Sequence, residues 1–400
     1  PRSFVLLMVV QFISTLADNA FLIVAIARVM ELSGPAWLIP LLKIGTTMFY
    51  VVLAPFVGPL ADAFPKGSVM LLANAIKVVA MVVLLAGGDP VLAIGLAGLG
   101  SAIYAPAKYG LMTELFPAHD LVRANGFFES TTVCAIILGT VLGGLLVSPL
   151  MPYLKPIFPA MQLPSQTTVL TAAMLVLFFM NFAAMLLSLS VADTGARYAP
   201  HTRNPIAIVK RFVHENRALW GDSLGRLSMA VTTLLWGVGA TLQLIVLRWA
   251  HESLGLPLDQ SAYLQGVTAV GVICGAVLAS RMVGLDDAQK LMPVGVLMGL
   301  LVPLLLWISS LWMAVTLLMV VGALAGFFVV PMNALLQHRG CTLLTAGRSM
   351  AVQGFNENAG MLLMLGAYAG AIALDVPLTQ LVWGFGLMVS MGMLAISRLR

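Results

Sequence analysis

The sequence predicts an all-α membrane protein with twelve transmembrane helices in two six-helix bundles. Three observations predict this fold class. First, 60% of the 400 residues are apolar, only 9% are charged, and the mean hydropathy is +1.01. Second, apolar runs of about 20 residues, the length that a membrane-spanning helix needs, recur along the whole chain. Third, a long polar stretch divides these runs into two equal sets.

Glycine, proline and charged residues mark the ends of the apolar runs. The first six predicted spans are residues 4–29, 36–61, 68–87, 91–115, 125–147 and 167–191. The second six are residues 224–249, 261–283, 290–309, 311–336, 347–373 and 377–397. The predicted domains are therefore an N-terminal bundle over residues 1–192, a cytoplasmic linker over 193–222 and a C-terminal bundle over 223–400.

Positive charge is distributed unevenly between alternate loops. The loops after the even-numbered spans, together with the two termini, hold most of the lysine and arginine residues, five of them in the linker. The opposite loops proper hold only Lys155. The positive-inside rule therefore places both termini in the cytoplasm. This topology explains the formal net charge of +5 without a nucleic-acid partner.

The two halves share short sequence matches. Segment 125–130 opens the fifth span with Asn-Gly-Phe-Phe-Glu-Ser, and segment 353–358 opens the eleventh, 228 residues later, with Gln-Gly-Phe-Asn-Glu-Asn. Pro106 in the fourth span matches Pro331 in the tenth, 225 residues later. The order and similar offset of these matches predict a duplication. Parallel halves of this kind place a substrate site between the bundles, near the middle of the bilayer.

Several charged residues lie inside predicted spans, where a charge costs at least about 2.5 kcal/mol. Asp18, with Asn19 beside it, lies in the first span, and Lys108 lies in the fourth. Glu129 and Glu357 occupy matched positions in the two halves. Two interpretations stay open: these residues line the transport path, or they pair with one another and hold helices together.

Polar amides extend this set of candidate substrate-binding residues. They are Gln243 in the seventh span, Asn333 and Gln337 in the tenth, and Gln353 and Asn358 in the eleventh. Positions four residues apart share one face of a helix, as Gln353 and Glu357 do. Hydrogen bonding between helices and contact with substrate are both open for the amides. For Lys77 and Arg226, by contrast, extension of the charged end to the membrane surface is favoured over a functional role.

Four residues are candidates for gating. Asp62 and Lys66 follow the second span on its cytoplasmic side, where ion pairs and helix-end contacts can stabilise one conformational state. Arg123, before the fifth span, and Arg248, near the end of the seventh, are assigned the same role.

Glycines four residues apart allow helices to approach closely. The sequence predicts packing seams at four such pairs, which are Gly139/Gly143, Gly271/Gly275, Gly322/Gly326 and Gly366/Gly370.

The sequence lacks the common signatures of enzymes and of metal sites. It contains no glycine-rich loop ending in Gly-Lys-Ser/Thr and no HExxH motif. None of the five histidines has an aspartate five positions later, the spacing sought in glycerolipid acyltransferases, and the three cysteines are widely separated. We therefore expect neither a metal nor another cofactor, and a protein that is not an enzyme.

Six segments resemble the bacterial lysophospholipid transporters of the major facilitator superfamily, and the resemblance covers nearly the whole chain. The segments are residues 14–20, 54–58, 104–110, 123–126, 326–337 and 357–364. The resemblance implies a flippase of the bacterial inner membrane that moves lysophosphatidylethanolamine and related lysolipids to the cytoplasmic leaflet. It also implies a functional partner, an acyltransferase–acyl carrier protein synthetase, that restores the missing acyl chain.

The resemblance implies roles for the intramembrane charges. Asp18, Glu129 and Glu357 supply carboxylates for the ethanolamine ammonium or for gating pairs, and Lys108 offers a point charge to the phosphate. The head group then crosses inside the protein, while the acyl chain stays in lipid or in an apolar slot. Because two six-helix bundles can enclose a path by themselves, we expect a monomer.

One position departs from the family pattern. The pattern has an arginine after a Thr-Leu pair in the seventh span, whereas this chain has Gln243 there and Arg248 five residues later. Five residues correspond to about 500° around a helix, so Arg248 faces elsewhere. Either Gln243 binds the head group through hydrogen bonds alone, or Lys108 or Arg248 takes the cationic role.

Two other functions stay open. A proton-coupled exporter of amphipathic drugs would use Asp18 or Glu357 as its proton carrier. A membrane-embedded lipid enzyme is disfavoured, because the sequence shows no nucleophile, base or metal constellation for it.

Overall fold

The computed structural model describes residues 2–115, 118–148, 169–195, 204–344 and 346–398, and every regular element in these ranges is a helix. In chain order the α-helices are α1 (Arg2–Glu31), α2 (Leu38–Val52), α3 (Ala54–Ala63), α4 (Lys66–Leu85), α5 (Pro90–Leu115), α6 (Ala118–Val147), α7 (Val169–Ser188), α8 (Pro205–Gly221), α9 (Ser223–Leu254), α10 (Leu258–Met282), α11 (Met292–Leu301), α12 (Leu311–Leu343), α13 (Ala346–Ala373) and α14 (Leu378–Ser397). Two 3₁₀ segments, Leu285–Leu291 and Val302–Trp307, flank α11.

Each predicted span overlaps a helix or two consecutive helices. In the described ranges, nine helices are long and apolar enough to cross a membrane, and the bent pair α2 and α3 makes ten if it is counted as one span. Helix α6 contributes a shorter apolar stretch, Thr131–Val147, and α13 carries polar residues through its first half. The total of twelve spans therefore stays a prediction.

Prolines interrupt two of the predicted spans and leave two others continuous. Between α2 and α3 the chain bends by 55°, and Pro55 lies in the first turn of α3. Helix α11 passes into a 3₁₀ segment with Pro303 in its first turn. Proline favours such starts because it lacks an N–H group. The matched residues Pro106 and Pro331, however, lie within the continuous helices α5 and α12.

The predicted linker contains a helix that the sequence analysis did not anticipate. Helix α8 ends at Gly221, and only Asp222 separates it from α9. The Asp222 carboxylate accepts a hydrogen bond from the backbone N–H of Gly225 at 2.8 Å and so caps α9. Residues 196–203 of the predicted linker lie outside the described ranges.

The chain divides into two compact units. The first contains the residues up to 205 together with 258–263, and the second contains 206–257 together with the residues from 264 onward. In the first unit, α1 packs along α6 and α7, while α4 packs against α5 and α7. In the second unit, α9 packs along α12 and α13, and α11 packs against α14. Helices α1 and α9 are the most buried of the nine apolar helices.

Two of the predicted glycines bring α6 close to α1. A Cβ atom at Gly139 would lie 2.5 Å from the carbonyl oxygen of Leu16, and one at Gly143 would lie 3.0 Å from that of Ala20. A larger residue at either position would force the two helices apart, so the structure confirms this predicted seam.

The glycines of α10 and α12 face each other in the second unit. A Cβ atom at Gly275 would collide with the backbone of Ala323, and one at Gly326 would collide with the backbone of Val272. The seam predicted from these two helices is confirmed. The prediction for Gly366 and Gly370 is wrong, because no described atom lies within 4 Å of a Cβ built at either position.

We expect Gly275→Ala to lower the thermal stability of the protein. The added methyl overlaps backbone rather than a flexible side chain, and overpacking of this kind costs about 1–3 kcal/mol. The matched control is Gly366→Ala, where the methyl meets open space and alanine improves helix propensity by about 1 kcal/mol. Thermal unfolding of both variants in one detergent tests the seam, and equal melting temperatures would contradict it.

Candidate functional site

The first unit holds an ion pair among its spanning helices. Nζ of Lys77, on α4, donates a hydrogen bond to Oδ2 of Asp18, on α1, at 2.6 Å. The Lys77 side chain is 2% exposed, whereas the Asp18 side chain is 28% exposed. The prediction that Lys77 extends to the membrane surface is therefore wrong. Its ammonium pairs with a carboxylate inside the unit, so the charge is stabilised without contact with water.

Hydroxyl groups surround this ion pair. Lys77 donates a second hydrogen bond to Oγ of Ser14 at 2.8 Å, and Oγ of Ser101 donates to Oδ2 of Asp18 at 2.8 Å. The Tyr104 ring centre lies 5.4 Å from Nζ of Lys77, and the buried Tyr104 hydroxyl has no partner among the described residues. Oδ1 of Asp18 likewise accepts no hydrogen bond from them. One carboxylate oxygen and one hydroxyl thus remain for a ligand.

A buried network of hydrogen bonds around Asn74 holds Ser14, one of the two side chains to which Lys77 donates. Oγ of Ser14 donates to Oδ1 of Asn74 at 3.1 Å, and Nδ2 of Asn74 donates to Oγ of Ser188 at 3.0 Å. These bonds connect α1, α4 and α7, and satisfied buried networks of this kind hold side chains in one arrangement. This network was not predicted from the sequence. The spacing of Asn74 and Lys77 could have indicated it, because residues three apart share one face of a helix.

Lys108 lies in an aromatic pocket elsewhere in the first unit. It donates a hydrogen bond to Oε1 of Gln11 at 3.2 Å, and Nε2 of Gln11 donates to Oγ1 of Thr132 at 2.6 Å. Its ammonium lies 4.9 Å from the ring centre of Tyr109 and 5.1 Å from that of Phe128. Cation–π contact with two rings holds the charge in a half-buried position.

Lys66 forms its ion pair with a residue that the sequence analysis did not select. Its buried ammonium donates to the carbonyl oxygen of Ala61 at 2.7 Å and lies 3.5 Å from Oε1 of Glu114. This pair ties the first turn of α4 to the last turn of α5. A contact between helix ends is suited to a gate, because it can break without disturbing the middle of either span.

The second unit brings together three of the predicted residues. Nε2 of Gln353 donates to Oδ1 of Asn333 at 3.0 Å and to Oε1 of Glu357 at 2.8 Å, so hydrogen bonding between α12 and α13 is confirmed. Gln353 and Glu357 are both buried. Oε1 of Gln353 is buried as well and has no partner among the described residues. It can accept a hydrogen bond from a ligand.

Two predicted amides bond to their own helices instead. Nδ2 of Asn19 donates to the carbonyl oxygen of Thr15 at 2.8 Å, and Nδ2 of Asn358 donates to that of Gly354 at 2.8 Å. Both side chains are half-buried. The structure thus joins neither to the other candidate residues by a hydrogen bond.

Gln243 and Arg248 lie on α9 in different surroundings. The Gln243 side chain is half-buried and forms no hydrogen bond with the described residues, although its backbone carbonyl accepts one from Gln265 at 3.1 Å. Nε of Arg248 donates to Oε1 of Glu252, one turn later on the same helix, at 2.7 Å. The arginine is thus engaged near the C-terminal end of α9.

A second pair at helix ends joins α9 to α12. Nε of Arg339 donates to Oδ2 of Asp222 at 2.9 Å, and another guanidinium nitrogen donates to Oδ1. The hydrogen bonds from Arg339 lower the pKa of the Asp222 carboxyl below its usual value. Bidentate pairs of this type are directional and strong. The sequence does not predict this pair, because nothing local indicates a partner 117 residues away.

Four of the predicted site residues cannot be placed in this way. The side chains of Asp62, Arg123, Glu129 and Gln337 lie outside the described residues. Their assignments stay predictions.

Comparison with known proteins places the chain among transporters. A family model described as Major Facilitator Superfamily matches residues 7–365. The chain is 37% identical over 377 residues to the lysophospholipid transporter LplT of Yersinia pestis, and equally to that of Yersinia pseudotuberculosis. These alignments cover 94% of this chain and 88% of each relative.

Solved structures show the same fold at low identity. A bacterial homologue of the human lysosomal transporter Spinster, inward-facing and unoccupied, matches with a TM-score of 0.65 and 13% identity over 100% of this chain and 94% of that one. The POT family transporter PepTSo gives 0.70 and 14% over 100% and 97%. The nucleoside transporter NupG gives 0.71 and 9% over 98% and 99%. At these identities the similarity concerns the fold alone.

We expect Lys77→Met to destabilise the protein, and a second substitution at its partner to restore stability. The single variant leaves Asp18 without its cation inside the helix bundle, and breaking a buried ion pair on one side costs about 3 kcal/mol. In Asp18→Asn/Lys77→Met both charges are gone, so most of the loss should be recovered. Thermal unfolding measures both effects. A double variant no more stable than Lys77→Met would show that the pair does not hold these helices.

Proposed function

The chain belongs to the major facilitator superfamily, and we propose that it is a lysophospholipid transporter of the bacterial inner membrane. Its substrates are lysophosphatidylethanolamine and related lysolipids, which it moves to the cytoplasmic leaflet. The names and full-length similarity of the relatives support this function. The structural observation that carries it is the Asp18–Lys77 pair, a zwitterionic site inside a spanning bundle with one carboxylate oxygen available.

Charge balance explains why such a pair suits a zwitterionic head group. In a medium of low dielectric constant, an isolated charge is far more costly than a neutral pair. Asp18 and Lys77 neutralise each other. A zwitterionic head group that brings its ammonium to the exposed edge of Asp18 adds no net charge, so the sum of charges stays at zero. The site therefore accepts the head group without gaining net charge.

Uncharged groups complete the proposed substrate contacts. Tyr104 and Gln353 each hold a buried polar atom without a partner in the described ranges, and Gln243 has a half-buried side chain without one. A glycerol hydroxyl or a phosphate oxygen can use these groups. Lys108 is the half-buried cation proposed for the phosphate, and its ammonium lies against two rings. The remaining members of the proposed substrate set are Asn19, Glu129, Asn333, Gln337, Glu357 and Asn358.

Gating is proposed to occur at the helix ends. Lys66 with Glu114 in the first unit and Asp222 with Arg339 in the second are ion pairs that can open and close as the transporter changes state. Asp62, Arg123 and Arg248 keep their proposed gating roles. The acyl chain stays in lipid or in an apolar slot, because each CH₂ group costs about 0.8 kcal/mol to bring into water.

The proposed cellular setting is the bacterial inner membrane. Both termini lie in the cytoplasm, as the distribution of cations favours. The transporter works as a monomer and catalyses no reaction itself. An acyltransferase–acyl carrier protein synthetase consumes the lysolipid that it delivers. Membrane lipids surround it on both leaflets.

Flipping in purified vesicles tests this function. Proteoliposomes with fluorescent lysophosphatidylethanolamine should show protein-dependent movement of the lipid between leaflets, with and without a proton gradient. A fluorescent amphipathic drug serves as the comparison substrate. Drug movement that requires the gradient, without any lipid movement, would favour the exporter and overturn the proposal.

In the same assay we expect Asp18→Asn to lose roughly tenfold or more of the lysolipid flipping rate, because a hydrogen bond to a charged group is worth about 1.5–3 kcal/mol. The matched control is Asp287→Asn, since Asp287 is an exposed carboxylate that pairs with Lys290 at 2.6 Å. The control should flip lysolipid at the wild-type rate. If Asp18→Asn inserts normally and flips at the control's rate, Asp18 does not bind the head group.

Replacing Gln243 with arginine tests the departure from the family pattern. Gln243→Arg adds a charge and a bidentate donor, and charge-assisted bonds are about twice as strong as neutral ones. We expect a larger rise in melting temperature on adding lysophosphatidylethanolamine than wild type shows. A variant that is destabilised and gains nothing from lipid would place Gln243 in helix packing instead.

A further inference from the structure

Helix α8 is anchored to the second unit along one face. Phe212 and Leu219 are buried, and the Phe212 ring packs edge-on against that of Phe355 at 5.3 Å between centroids. Nε1 of Trp220 donates to Oδ1 of Asn356 at 3.0 Å. These contacts with α13 fix the rotation of α8 about its axis. They therefore decide which side chains point away from the protein.

The outward face of α8 carries an apolar stripe. Ile206 is 65% exposed, Val209 is 36% exposed and Val213 is 40% exposed. Spacings of three and four residues place the three side chains in one row along the helix. An exposed aliphatic row of this kind is unfavourable in water.

Cations border this stripe on one side. Lys210 and Arg217 are exposed and lie within about 40° of Ile206 around the helix. Helix α8 has a single acidic residue, Glu215, which is buried on the anchored side. Its carboxylate pairs with Arg211 at 3.1 Å and with Arg348 at 3.3 Å. The outward face thus combines apolar and positive side chains without a negative one.

The position of α8 in the chain places it beside the membrane. Only Asp222 separates it from α9, a membrane-spanning helix. Asp222 also pairs with Arg339, which lies at the end of the apolar stretch of α12. The C-terminal end of α8 is therefore held where two spans meet the head-group region.

We propose that α8 is an interfacial helix: its apolar stripe of Ile206, Val209 and Val213 inserts into the cytoplasmic leaflet, and Lys210 and Arg217 bind the head groups of anionic phospholipids. An apolar row flanked by cations is the pattern that binds anionic bilayers. The lipid recognised here is a resident membrane lipid, held at the surface, and is distinct from the lysolipid that the transporter moves.

Hydrogen–deuterium exchange of the full-length protein in nanodiscs tests this proposal. One set of discs contains phosphatidylcholine alone, and the other contains about one third phosphatidylglycerol. We expect the peptide covering residues 205–221 to exchange roughly fivefold more slowly in the anionic discs, because binding suppresses local opening of the helix. Exchange is measured without lysolipid, so the result does not depend on transport.

Variants separate the two parts of the surface. Lys210→Gln/Arg217→Gln should remove the dependence on phosphatidylglycerol, and Ile206→Ser/Val213→Ser should raise exchange in both kinds of disc. The control Arg281→Gln/Lys290→Gln removes the same charge from other exposed positions and should behave like wild type.

Three results would overturn the proposal. The first is an exchange rate of wild-type α8 that is equal in the two kinds of disc. The second is equal slowing in wild type and in Lys210→Gln/Arg217→Gln. The third is protection that changes with protein concentration but not with lipid, which would mean that a second copy of the chain covers the stripe.

Discussion

The rest of the structure depends on one constraint: a spanning helix has no water to solvate its polar groups. Backbone groups satisfy this constraint within the helix, and charged side chains must satisfy it with one another. The Asp18–Lys77 pair is the result in the first unit. It is not a simple clamp, because the lysine is enclosed while the aspartate keeps an exposed edge and an oxygen that accepts no hydrogen bond from the described residues. In the proposed function, Asp18 serves both helix packing and substrate recognition.

Close packing makes these polar contacts possible. Glycines on α6 let it approach α1, and facing glycines let α10 and α12 meet backbone to backbone. Helices α1 and α9 are the most buried of the apolar helices in the described ranges, and polar residues such as Gln11, Ser14 and Thr241 on them are buried. Ion pairs at the ends of helices differ from the pair in the interior. Lys66–Glu114 and Asp222–Arg339 lie at helix ends, and the first pair is almost fully buried whereas the second is partly exposed.

Local patterns in the sequence predicted much of the fold and part of the candidate site. Run lengths placed a helix at every predicted span, and charge inside a span selected Asp18, Lys108 and Glu357 as costly residues. The same reasoning misjudged Lys77, because a long side chain can reach the surface or a buried partner and the sequence does not distinguish these. It also missed α8, since a polar stretch with scattered apolar residues shows its stripe only when the buried face is known.

The sequence by itself determined the class of protein, the order of its apolar segments, and the positions where a charge needs a partner or a glycine allows close packing. Hydropathy, proline and glycine influence helix formation over a few residues, so their effects can be predicted directly from the sequence. The tertiary structure decided which residues meet. Asp18 and Lys77 are 59 positions apart, and Asp222 and Arg339 are 117 apart. Pairing over such distances depends on how helices pack and rotate against each other, and many small contacts, none visible locally, set that packing.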